Sequence, residues 1–112
     1  MFRSPEEYMN LQQTAATDVF ALGSLMYYLL TGQRVWEGML SSKYRKKVRR
    51  WIIEGKRPEI KEALLKSRDP VDMALKKAYD MCSGYAPERR ASAREVADFL
   101  ESVWRELNSN FK

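Results

Sequence analysis

Val19–Leu30, VFALGSLMYYLL, carries no charged residue, and its apolar side chains point all the way around a helical wheel. A helix with no polar face belongs in an interior, so this segment is predicted to be a buried central helix. Thr17 or Asp18 can cap its start, and Gly32 is placed to take the left-handed position past its end. Its dozen residues fall well short of the roughly 20 that span a bilayer, which makes it a core and not a membrane segment.

On either side the pattern turns amphipathic. Ser4-Pro5-Glu6-Glu7 combines a serine cap, proline at the first helical position and a glutamate that closes a capping box, predicting a short helix to about Leu11. Gln12–Ala16 is a polar link, and Gln33–Gly38 is a loop whose Val35 and Trp36 tuck toward the core. Leu40, Tyr44, Val48, Trp51 and Ile52 recur at spacings of three and four and predict a helix from about Leu40 to Glu54. Gly55 ends it, and Lys56-Arg57 before Pro58 is extended.

Asp69-Pro70 opens a third long helix with Val71, Ala74, Leu75, Ala78 and Cys82 on its stripe and Gly84 at its close. Ser92-Ala93-Arg94-Glu95 is a second capping box. It starts a last helix with Val96, Phe99, Leu100, Val103, Trp104 and Leu107 on one side. No alternating run is long enough for a sheet, and there is no internal repeat. The chain reads as one all-α domain over residues 1–112.

Composition narrows the chemistry. Hydrophobic residues make up 45% and charged residues 31%, as in a globular chain. The single cysteine, Cys82, excludes an internal disulfide and falls on a core stripe, and the N-terminal residues turn acidic where a secretory signal needs an apolar run. These features favour a cytoplasmic or nuclear setting. Histidine is absent, which removes the commonest neutral-pH base and metal ligand. The net charge of +5 is concentrated in Lys43–Arg50, where Lys43, Arg45, Lys46, Lys47, Arg49 and Arg50 crowd into eight residues.

The order of pieces resembles the lower lobe of a eukaryotic protein kinase catalytic domain. Ser4-Pro5-Glu6 stands where that family has the Ala-Pro-Glu that ends the activation segment, and Asp18-Val19-Phe20-Ala21-Leu22-Gly23 where the buried central helix begins. Leu29-Leu30-Thr31-Gly32, Ile53-x-Gly55-x-Arg57-Pro58 and Cys82-x4-Pro87-x2-Arg90-x-Ser92 follow in family order. The last third is most similar to the tyrosine-kinase-like grouping of serine/threonine kinases. Ser4, Phe20 and Ala91 depart from the usual alanine, tryptophan and proline, all mildly.

The resemblance implies a buried ion pair between Glu6 and Arg90, and gives Asp18 at the central-helix start a role in holding a catalytic loop. Without it, Glu6 is a first-turn acid facing the helix dipole, Asp18 a helix cap and Arg90 a solvated loop cation. It also implies, for a complete domain, ATP- and magnesium-dependent phosphorylation of protein serine or threonine. The residues that do that work are missing: no Gly-x-Gly-x-x-Gly flap, no His-Arg-Asp triplet, and Asp98-Phe99 is followed by Leu100. The expectation is therefore a helical fragment with no catalytic, cofactor-binding or metal residues of its own, beginning near the end of the activation segment. Its central helix, stripped of upstream cover, should leave apolar surface for missing upper elements or for self-association.

The Lys43–Arg50 run is a solvated helix face or a docking surface for a protein substrate or regulator. Nucleic-acid binding is disfavoured because no recognition signature accompanies the cations and Tyr44 and Trp51 fall on the core stripe. A membrane-surface or calmodulin-type helix has no better support. The rival fold is an independent helical bundle, in which Glu6 and Arg90 lie far apart.

Overall fold

The computed structural model describes residues 2–109, so the domain reading over 1–112 runs past the described residues at both ends. Among these residues every regular element is helical: α1 (Pro5–Tyr8), α2 (Ala15–Thr31), α3 (Ser42–Ile53), α4 (Glu62–Leu65), α5 (Pro70–Cys82) and α6 (Ala93–Ser109). Short 3-10 turns at Glu37–Met39 and Pro87–Arg89 interrupt the two longest connections between helices.

The α2 helix packs along α5, and the core forms between them from Val19, Met26, Tyr27, Ala78, Tyr79 and Cys82, with Val96 of α6 closing one end. Gly23 makes this approach possible. A Cβ there would sit 2.9 Å from the Cβ of Cys82, closer than carbon atoms pack, so only glycine lets the two helices come this near. Gly32, at φ 76°, takes the left-handed cap of α2, and its N–H bonds to the Tyr28 carbonyl.

Several sequence expectations are corrected. The α1 helix stops at Tyr8, three residues short of Leu11, because Asn10 turns left-handed at φ 56°. The α2 helix starts at Ala15, with neither Thr17 nor Asp18 as its cap. Thr14 Oγ1 accepts from Ala16 N–H at 3.2 Å, and Thr14 N–H donates to Thr17 Oγ1 at 3.2 Å, a capping box that recruits the polar link. Asp18 is an exposed first-turn acid. Nor is α2 buried on every side: Leu25, Tyr28 and Leu29 are each about half exposed, since no described element covers them.

Leu40 lies before α3, which begins at Ser42, and α5 closes on Ser83 and not Gly84. Val71 and Trp104 face outward where the stripes place them inward: Ala74 and Lys77 of α5 face Phe99, Val103 and Leu107 of α6, and both exposed residues lie off that seam. Short α4 sits in a segment with no strong pattern.

Candidate functional site

The arrangement that ties the fold together is assembled from four parts of the chain. Glu6 leaves the capped α1, Ala16 and Thr17 lie in the first turn of α2, Gly84 and Tyr85 follow α5, and Arg90 precedes α6. The Arg90 guanidinium meets the Glu6 carboxylate as a fork, Nη1 to Oε2 at 2.6 Å and Nη2 to Oε1 at 2.8 Å. Both side chains are buried, with 0% and 2% of their surfaces exposed.

Arginine carries five N–H donors, and here each has an acceptor. Besides the two on Glu6, Nη1 donates to the Ala16 carbonyl at 2.8 Å, Nε to Gly84 at 2.8 Å and Nη2 to Tyr85 at 3.2 Å. The Phe20 ring lies 4.8 Å below the guanidinium carbon, adding a cation–π face. Glu6 Oε2 also accepts from the Thr17 hydroxyl at 3.1 Å. Among the described residues no buried side-chain nitrogen or oxygen lacks a partner.

Burial by itself pushes the Glu6 carboxyl up. The Arg90 hydrogen bonds and charge, helped by Thr17, outweigh it and hold the pKa at about 2. The carboxylate is thus ionised at any ordinary pH, with its lone pairs committed to the latch. It is placed for holding, with no free oxygen or proton for acid–base chemistry.

A second polar cluster pins the segment after α3. Arg57 donates to Asp80 at 2.9 Å and to Ser83 Oγ at 2.6 Å, and lies 4.7 Å over the Tyr79 ring. Burial raises the Tyr79 pKa against the opposing pull of Arg57. Tyr85 Oη donates to the Ile53 carbonyl at 2.6 Å, and Tyr27 Oη to the Glu59 carbonyl. These bonds hold the loop after α3 against α2 and α5.

The basic helix is divided by its own periodicity. Val48 and Ile52 are buried and all six cations are exposed. Lys43, Lys47 and Arg50 lie along one edge, where Lys47 covers the Trp51 ring at 5.1 Å. Arg45, Lys46 and Arg49 lie along the other, toward α1, where Arg49 Nη2 donates to the Tyr8 carbonyl at 3.4 Å. Trp51 packs on Trp36, their ring centroids 5.5 Å apart, and is withdrawn from the surface on that side.

The structure therefore brings Glu6 to Arg90, leaves Asp18 apart from them in solvent, and spreads the six cations of α3 over two edges. Thr17 and Phe20 complete the latch, a role the sequence does not assign them: it marks Thr17 as a candidate helix cap and Phe20 as a departure from the usual tryptophan. Nothing in Thr17 signals that its hydroxyl bonds Glu6 across 11 positions, and nothing in Phe20 signals a cation 70 positions away. No family model matches the chain, and no curated protein does. Among the described residues no cluster of three metal-ligating side chains occurs, and no helix is long and apolar enough to cross a membrane.

Proposed function

We propose that the chain is the helical, substrate-side lobe of a protein-kinase-like fold, whose complete domain transfers phosphate from ATP to protein serine or threonine. The supporting observation is the Glu6–Arg90 latch, which joins the two motifs that the resemblance pairs across 84 positions of sequence. The 112 residues by themselves hold neither ATP nor magnesium, since flap, phosphate lysine, catalytic aspartate and metal ligands are all lacking from the sequence. The chain is a platform. Its bare α2 side is the face that upper elements cover in the complete fold, and alone it self-associates.

The test compares two products. The longest in-frame product that includes the coding sequence upstream of Met1 is expected to transfer labelled γ-phosphate to a generic protein substrate. The 112-residue chain is expected to transfer none and to show no magnesium-dependent ATP binding by calorimetry. An upstream region encoding no flap or catalytic loop, or ATP binding by the short chain, contradicts the proposal.

A second reading is favoured by one observation. None of the six α3 cations has a carboxylate within ion-pair distance among the described residues, although every other helix of two turns or more except α2 carries such a pair. Charges left without internal partners suit a non-catalytic module that docks proteins through Lys43–Arg50.

A further inference from the structure

Where α1 meets α3 the surface is concave, forming a cleft of about 430 Å³. One wall is the α1-facing edge of α3, carrying Arg45, Lys46 and Arg49. The opposite wall adds Arg3, some forty residues earlier in the chain. Tyr8 fixes both walls: its hydroxyl accepts from the Arg3 backbone N–H at 3.2 Å, and its ring lies 5.3 Å under the Arg49 guanidinium. Phe2 and Leu40 supply apolar floor, and no acidic side chain lines the cleft.

Four cations facing one hollow repel each other, and no carboxylate among the described residues offsets them: none of the four forms an ion pair. An anionic occupant relieves that repulsion and gains forked arginine bonds. We propose that this cleft binds an acidic peptide segment of a partner protein, with a carboxylate or phosphorylated side chain between Arg3 and Arg45 and an apolar residue on Phe2 and Leu40. The proposal rests on the docking-module reading and sharpens it, because it assigns binding to one edge of α3 plus a residue outside the basic run. It is independent of kinase kinship.

A peptide fits this site better than the other polyanions. Nucleic acid bound through cations also uses exposed aromatic faces for stacking, whereas Trp51 is packed on Trp36 and Tyr8 is covered by Arg49. A bilayer surface is flat, and would engage the outer edge, Lys43, Lys47 and Arg50, as readily as a recessed hollow.

The test uses fluorescence anisotropy on the whole chain with four probes: a labelled Glu- and Leu-containing peptide, the same peptide with a central phosphoserine, labelled oligothymidylate, and phosphatidylserine vesicles. Two variants remove equal charge: R3Q/R45Q/K46Q from the cleft, and K43Q/K47Q/R50Q from the outer edge. Arg49 is left in place because it bonds α1, and matching melting curves verify that both variants fold. The proposal expects both peptides to bind, the phosphorylated one more tightly, with affinity falling as salt rises. The cleft variant should lose about tenfold while the outer-edge variant loses less than about threefold. Equal losses in the two variants overturn the cleft and leave a general basic helix. Absence of peptide binding overturns both the cleft and the docking module, and tighter binding of oligothymidylate or vesicles than of either peptide overturns the choice of partner.

Discussion

Arg90 shows how one side chain can organise a small helical fold. Its five donors reach α1, α2 and the turn after α5, and its partner Glu6 is itself bonded to Thr17. A lysine offers a single ammonium that cannot fork across a carboxylate and reach three carbonyls at once. Arg90→Lys is therefore expected to destabilise nearly as much as a neutral substitution, measured by urea unfolding.

The Glu6 carboxyl is held near 2 against 4.5 when free, so its stabilisation is complete above about pH 4.5 and drains away as pH falls toward 2. The difference amounts to about 3 kcal/mol. Melting temperature should fall steeply across that window in the wild type and less in Glu6→Gln. Parallel curves would show that the carboxylate gains nothing from its burial.

At Gly23 the limit is steric. Glycine-to-alanine changes inside an exposed helix normally stabilise by about 1 kcal/mol. Here the added carbon meets the Cys82 Cβ at 2.9 Å, so Gly23→Ala is expected to destabilise by about 1–3 kcal/mol.

At the scale of elements, α2 and α5 form the spine; α6 packs on it through Val96, Phe99 and Leu100, α3 buries Val48 and Ile52, and α1 is tied in by the Glu6–Arg90 pair. Cys82 reports on the spine: it is fully buried, and burial raises its thiol pKa. Alkylation of the native chain should be slow at neutral pH and become fast in denaturant, whereas rapid native labelling would mean that α2 and α5 part readily.

Much of this layer was legible in the sequence. Ser4-Pro5, Asp69-Pro70 and Ser92 with Glu95 each signal a helix start through local chemistry, and the structure places helices at all three. The start of α2 is hidden in the sequence because two threonines, Thr14 and Thr17, share the cap, while Asp18 carries the stronger single-residue signal. Val71 and Trp104 depart for a different reason: a stripe records which face is apolar, while the part of that face a neighbour covers is fixed by tertiary packing. The latch lay between these cases. Its two ends could be paired only through a resemblance, and no local signal assigns Thr17 or Phe20 to it.

At the scale of the whole molecule the fold is elongated. Its radius of gyration is 15.0 Å, where about 13 Å is usual for this length, and its extents are 50 × 30 × 18 Å. The bare side of α2 leaves Leu25, Tyr28 and Leu29 half exposed, the first two beside Phe2, Val35 and Leu40. Apolar surface of this kind associates. Sedimentation should show concentration-dependent association of the chain, and Leu25→Lys with Leu29→Lys should yield a monomer whose melting temperature is not lower. A wild-type monomer at every concentration would mean that this face is tolerated in water.

The account turns on the buried pair, and a double-mutant cycle on Glu6→Gln and Arg90→Met measures it directly by urea unfolding. Each single change should cost about 3–5 kcal/mol, because it strands a buried polar partner, and the double change should cost little more than either alone. Small losses below about 1 kcal/mol that simply add would contradict the latch and leave a helical bundle held by its α2–α5 core.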